Sequence, residues 1–229
     1  MAEHPYFNAS LFQFLVDLRF NNNREWFQAN KKRYETEVRD PMLRFIADVG
    51  PHLETVSKRF VADPRPRGGS LFRIHRDVRF SKDKSPYKTN VGAHFRHEVG
   101  RDVHAPGFYL HLEPGQVFIA GGVWHPSGSA LTKIRDAIVE HPKAWQQATS
   151  SPAFCAVANL GGDSLKRPPK GYEPDHPLIE DLKRKDFIAH AEFTEEQACA
   201  PDFMDVFTQT CQAFAPLAKF LTTALELPW

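Results

Sequence analysis

Hydrophobic positions in the first 60 residues recur at helical spacing. Leu11, Phe14, Leu15 and Leu18 fall at i, i+3, i+4 and i+7, which makes one stripe of an amphipathic helix. Asn22 with Glu25 three residues later has the form of a capping box for a second helix, and Trp26, Phe27, Asn30, Tyr34 and Val38 continue one face. Pro41 opens or kinks a further helix that carries Met42, Phe45, Ile46, Val49 and Leu53.

From Ser70 to Trp124 the period changes to two. Phe72, Ile74, Val78 and Phe80 alternate with Arg73, His75, Asp77 and Arg79, with Arg76 interrupting the apolar side. Val91, Ala93 and Phe95 alternate with Gly92, His94 and Arg96. The clearest hairpin runs from Phe108 to Gly121 around Glu113-Pro114-Gly115-Gln116. Proline fixes the first central residue of a type II turn there, and glycine supplies positive φ at the second. A two-residue loop sets Leu112 opposite Val117, His111 opposite Phe118, Leu110 opposite Ile119 and Tyr109 opposite Ala120. The aliphatics then share one face, and a one-residue slip would scramble them.

Helical spacing returns at Leu131, Ile134, Ile138 and Val139, after Pro126-Ser127-Gly128-Ser129. Residues 160–177 read as loop. A short strand is expected from Asp186 to Phe193, a capping box at Thr194 to Gln197, and a final helix bearing Phe203, Phe207, Cys211, Phe214, Leu217, Leu221 and Leu225, kinked at Pro216. Helices, then strands, then helices predict an α+β fold. Its mainly antiparallel sheet (residues ~70–124 plus ~186–193) is packed by N-terminal, central and C-terminal helices. Residues 1–229 are read as one domain, since the prolines punctuate the chain and do not gather into a linker.

Several segments resemble the bacterial and fungal family called domain of unknown function 2461. The most specific is Phe72-Arg73-Ile74-His75-Arg76-Asp77-Val78-Arg79-Phe80-Ser81-Lys82-Asp83-Lys84-Ser85-Pro86-Tyr87-Lys88-Thr89. Similar runs are Asn22-Asn23-Arg24-Glu25-Trp26-Phe27, Tyr109-Leu110-His111-Leu112-Glu113-Pro114-Gly115, Gly121-Gly122-Val123-Trp124, and Leu165-Lys166-Arg167-Pro168-Pro169-Lys170-Gly171-Tyr172. The resemblance spans about residues 5 to 225. It implies a compact intracellular domain and no particular reaction or catalytic residue.

Composition narrows the class. Over 229 residues, 41% hydrophobic and 25% charged content excludes wholesale disorder. The longest apolar or glycine run, Val117 to Trp124, is far short of the ~20 residues of a membrane-spanning helix. The opening Met1-Ala2-Glu3-His4-Pro5 lacks the basic and apolar regions of a secretory signal. Three sparse cysteines, Cys155, Cys199 and Cys211, with no C-x-x-C, fit buried thiols in a reducing compartment. A cytoplasmic protein is therefore expected. A net charge of +1 excludes a generally basic nucleic-acid binder.

That balance hides a local excess. Between positions 65 and 88, Arg65, Arg67, Arg73, Arg76, Arg79, Lys82, Lys84 and Lys88 face only Asp77 and Asp83. The forks of Arg73, Arg76 and Arg79 on a strand suit a carboxylate or phosphate, with Lys84 or Lys88 assisting. Tyr109, His111 and Glu113 form the other wall and offer acid–base groups. Ser127 and Ser129, at the start of a helix after Gly121-Gly122, offer a second place for an anion. The pairs His75-x-Asp77 and His111-x-Glu113 carry metal-ligand chemistry, but the histidines are scattered and H-E-x-x-H is absent, so no metal site is assigned. No G-x-S-x-G elbow occurs, and Cys155 in an apolar run reads as an inert buried thiol. Trp26, Phe27, Tyr34, Tyr109, Phe118 and Trp124 read as core more than as pocket lining.

The expectation is a site for a small anionic ligand, with the reaction, cofactor and oligomeric state left open. The alternatives are a non-enzymatic module for nucleic acid or an acidic protein, nucleic acid being disfavoured by the net charge, and a basic block that is purely structural.

Overall fold

The computed structural model describes residues 5–100 and 104–229. Residues 1–4, most of the opening stretch whose sequence lacks the regions of a secretory signal, lie outside the described residues. The chain begins with α1 (Ala9–Phe20), capped by Asn8, whose side chain accepts the Ser10 amide. Next come α2 (Arg24–Ala29) and α3 (Lys31–Arg33). A π-helical stretch, Tyr34–Arg39, leads into α4 (Asp40–Glu54). Pro41 sits at the start of α4 directly after the π-helical stretch, with Arg39 already in helical conformation, so it lacks the N–H that the continuing helix would use. The α1 stripe of Leu11, Phe14, Leu15 and Leu18 is fully buried.

The cap of α2 is one residue from its expected place. Asn23, not Asn22, accepts the Trp26 amide at 2.9 Å. Asn22 pairs instead with the main chain of Tyr87, donating from Nδ2 to its carbonyl and accepting its N–H at Oδ1, both at 3.0 Å. An asparagine amide matches a peptide group donor for acceptor, and this long-range pairing outcompetes the local cap.

Five strands form the sheet: β1 (Val91–Arg96), β2 (Gly107–Glu113), β3 (Gln116–Val123), β4 (Asn159–Gly161) and β5 (Phe187–Phe193). They lie in the order β1-β2-β3-β5-β4, and every neighbouring pair is antiparallel. The hairpin pairs Leu112 with Val117, His111 with Phe118, Leu110 with Ile119 and Tyr109 with Ala120, as read from the sequence. Gly115 closes the turn at φ +80°.

One face of the sheet is apolar and sealed. Phe95, Phe108, Leu110, Leu112, Ile119 and Phe187 on that face have no exposed surface. Between β3 and β4 lie α5 (Gly128–Glu140), α6 (Pro142–Ser150) and α7 (Pro152–Val157). Short helices α8 (Ile179–Leu182) and α9 (Glu195–Ala198) flank β5. Thr194 and Gln197 form the capping box expected of them at α9. The long α10 (Phe203–Ala224) runs through Pro216 and lies against the sheet, with Phe207 5.4 Å from Phe95. Trp145 of α6 is buried between Phe187 and Phe220. No helix among the described residues is long and apolar enough to cross a membrane.

The expected strand over Phe72–Phe80 does not form. Only isolated bridges, Leu71 with Ala93 and His75 with Tyr87, tie this stretch to its surroundings. Local polar bonding wins over alternation. Asp77 accepts the backbone N–H of Arg79 at 3.2 Å as well as its guanidinium, and Lys84 donates to the Val78 carbonyl at 2.9 Å. Phe80 stands 96% exposed at the tip. Two further expectations are corrected. The three-residue β4 begins one residue before the stretch read as loop. Cys155 is exposed, because it lies on the outer side of short α7 while Phe154 takes the buried side.

Candidate functional site

The second face of the sheet carries the chemistry. Alternation turns Tyr109, His111 and Glu113 of β2 away from the helices, along with His94 of β1, Phe118 and Ala120 of β3, and Ile188 and His190 of β5. The stretch from Ser70 to Asn90 arches beside this face and closes a cavity of about 610 Å³. Phe72, Arg76, Asp77, Lys88 and Asn90 line it from the arch, and Tyr109, His111, Phe118, Trp124 and His190 line it from the sheet side. Such a volume suits a small organic ligand.

The arch is pinned at several points. Phe72 donates to Gly92 at 3.0 Å, His94 to Ser70 at 2.9 Å, and Lys88 to Ile74 at 2.8 Å, all through main-chain groups. Tyr87 stacks on Phe27 of α2 with ring centroids 4.1 Å apart, next to the Asn22 clasp. At the far end Asp186, 2% exposed, accepts the main-chain amides of His125 and Asp163 and so fixes the turn after Trp124.

Three successive outward residues of β2 form a hydrogen-bonded chain. Glu113 Oε2 lies 3.2 Å from His111 Nε2, and the Tyr109 hydroxyl lies 3.0 Å from His111 Nδ1. A carboxylate only accepts, so Nε2 carries the imidazole proton. Nδ1 is then the acceptor for the phenol. The other oxygen of Glu113 is held by Arg19 at 3.1 Å and by the Thr89 hydroxyl at 3.0 Å. His111 stacks on Phe118 at 4.5 Å, and Phe118 in turn lies 4.6 Å from His190. Burial pushes the His111 pKa down, against the opposing pull of Glu113, which keeps the ring neutral near pH 7. Burial also pushes the Tyr109 phenol up, so it stays protonated.

The basic block divides. Arg76 lines the cavity but pairs with Asp83. Arg79 pairs with Asp77 at 2.7 Å and points to solvent, and its guanidinium holds the Asp77 carboxyl at about 2. Arg73 is exposed and Lys84 bonds to the Val78 carbonyl; neither lines the cavity. The supposed sharing of one strand face by Arg73 and Arg79 fails with the strand itself. Lys88 differs from all of these. It is half-buried in the cavity wall, its ammonium lies 5.2 Å over the Phe72 ring, and no carboxylate pairs with it among the described residues. Burial, with Arg73 nearby, lowers its pKa.

Of the other expected site residues, Tyr109 and His111 line the cavity and Glu113 stands behind His111. Ser127 caps α5 by accepting the Ala130 amide and bonds to the Ser129 hydroxyl; both lie outside the cavity lining. Tyr109, Phe118 and Trp124 line the cavity, whereas Phe27 is core and Trp26 and Tyr34 pack on it. The sequence reading missed His94, His190, Phe72 and Asn90. His94 and His190 stand at outward positions of strands whose inward positions are apolar, whereas Phe72 and Asn90 lie outside the strands and carried no such signal. No three of the described His, Cys, Asp and Glu side chains are grouped to hold a metal ion.

A family model described as "Conserved hypothetical protein (DUF2461)" matches residues 10–220. No curated protein and no solved structure gives a significant match.

Proposed function

The chain belongs to the DUF2461 family of conserved hypothetical proteins, a description that carries no activity, and we propose from the cavity itself that the protein binds a small anionic molecule with a flat, largely apolar body. The observation that carries this reading is Lys88. Among the described residues no carboxylate pairs with its half-buried ammonium; such a charge is costly in a protein interior, and an incoming carboxylate or phosphate relieves that cost. Phe72, Tyr109, Phe118 and Trp124 supply faces for a planar body. Asn90 and Arg76 add donors at the same wall.

The internal pairing of Arg76 and Arg79 weakens the outward field of the basic block, which supports a small ligand over a polyanion. Cytoplasmic residence fits the same reading, because small metabolic anions are abundant there. The test is thermal unfolding with benzoate, phenyl phosphate and phenylpyruvate. A ligand at 100 times its Kd adds about 2.7 kcal/mol. Stabilisation by at least one of them, lost in Lys88→Met, supports the reading. No stabilisation, or equal stabilisation of Lys88→Met, rejects it.

A further inference from the structure

Beyond binding, we infer that the cavity is a proton-transfer site in which Tyr109 exchanges a proton with the bound anion through His111 and Glu113. This inference rests on the anion-binding reading. Its structural basis is the directed chain from the Glu113 carboxylate through the His111 ring to the Tyr109 hydroxyl. A chain built only to fill space needs neither a defined tautomer nor a fixed carboxylate. Here Glu113 is held by Arg19 and Thr89 on the oxygen that His111 does not use, and the ring is clamped by Phe118. Tyr109 and His111 both line the cavity.

The chain is primed in one direction. His111 is neutral, and its Nδ1 lone pair accepts the hydroxyl of a phenol that is reluctant to ionise. When a substrate C–H or O–H gives its proton to the Tyr109 oxygen, the phenol's own proton moves to Nδ1. The imidazolium so formed lies against the Glu113 carboxylate, which stabilises it. No free phenolate has to form. For a C–H bond, the electron pair left on carbon passes into a neighbouring carbonyl as an enolate. Reversal returns a proton to carbon and restores the phenol and the neutral ring, so no oxidant or co-reactant is consumed.

The position of Lys88 restricts the substrate class. Its ammonium sits over Phe72, whose ring is 5.8 Å from that of Tyr109. Anion anchor and proton acceptor are thus separated by a single aromatic ring. The geometry points to a small carboxylate bearing an enolisable carbonyl, with a flat side group. Tyr109 is the catalytic residue; Glu113 is a positioning residue that acts through His111.

Phenylpyruvate is the probe. In D2O near neutrality, loss of its C–H signal is followed by proton NMR, and thermal unfolding of the same samples reports binding. The wild-type protein is expected to speed exchange about 100-fold over buffer. Tyr109→Phe is expected to remove that acceleration and Glu113→Gln to reduce it about 10-fold, while both remain stabilised by phenylpyruvate. Binding without faster exchange, or exchange in Tyr109→Phe equal to wild type, overturns this inference and leaves anion binding standing. Failure of benzoate, phenyl phosphate and phenylpyruvate alike to stabilise the wild type overturns both.

Discussion

The phenol of Tyr109 occupies the space that a side chain at Gly92 would fill. A Cβ placed on Gly92 would lie 2.3 Å from the Tyr109 hydroxyl oxygen and 2.8 Å from two ring carbons. Gly92 is the cross-strand partner of His111, so the gap it leaves is where the phenol reaches Nδ1. A residue without chemistry of its own thus sets the geometry of the chain of three.

Gly92→Ala is therefore expected to expel the Tyr109 ring and break its bond to His111. Overpacking of this kind costs about 1–3 kcal/mol, read from denaturant unfolding. In the double variant Gly92→Ala with Tyr109→Ala the clash is gone, so the two losses should fall short of additive. Additive losses would show that the contact does not govern the position of the ring.

Lys88→Met should leave stability unchanged or raise it, since it removes a half-buried charge that has no carboxylate partner among the described residues and feels Arg73 nearby. Because its folded pKa is lowered, Lys88 binds fewer protons folded than unfolded just below the ordinary value of 10.5, and it adds to a rise of stability with pH there. Chemical denaturation of the wild type and Lys88→Met between pH 8 and 10.5 measures this. A marked destabilisation by the methionine would mean that the ammonium has a hidden stabilising role.

His111 gives an acid-side dependence. Its folded pKa lies below the ordinary 6.5, so the unfolded chain takes up the proton first. Its contribution is level above about pH 6.5 and turns unfavourable as pH falls through 6.5 toward the folded value. Glu113 and His190 face the ring with opposing effects. Unfolding midpoints at pH 7.5 and 5.0 should differ more for the wild type than for His111→Asn. The comparison cancels the remaining histidines.

Asn22→Ala removes both bonds to the Tyr87 main chain and leaves a peptide group partly unpaired. The expected loss is about 1–3 kcal/mol. The effect should be local. Amide exchange should quicken over residues 71–90 far more than in β2 and β3. Uniform quickening would argue that the arch and the sheet open together.

The parts of this fold that were legible in the sequence depend on neighbours close in the chain. The β2–β3 register followed from a turn and from alternation on both sides of it, and the α10 stripe from one helical period. Phe72, Ile74, Val78 and Phe80 mimic a strand, but a strand needs a partner ladder. The Asp77–Arg79 and Arg76–Asp83 pairs instead fold the stretch on itself. The triplet Tyr109, His111 and Glu113 could be named because alternate residues share a face. That Lys88 would meet no carboxylate among the described residues while Arg76 and Arg79 found theirs could not be read from charge counts, since pairing depends on how the arch bends. His94 and His190 join the site through sheet order, which no local pattern encodes.

The strict division of the sheet's two faces separates durability from selectivity. Inward positions such as Leu110 and Ile119 hold the molecule together, and the intervening Tyr109, Phe118 and Ala120 meet whatever enters the hollow. Replacing Ala120 or Phe118 reshapes the hollow without touching the helices. This architecture therefore leaves descendants of the chain free to vary the lining of the hollow while keeping the scaffold that carries it.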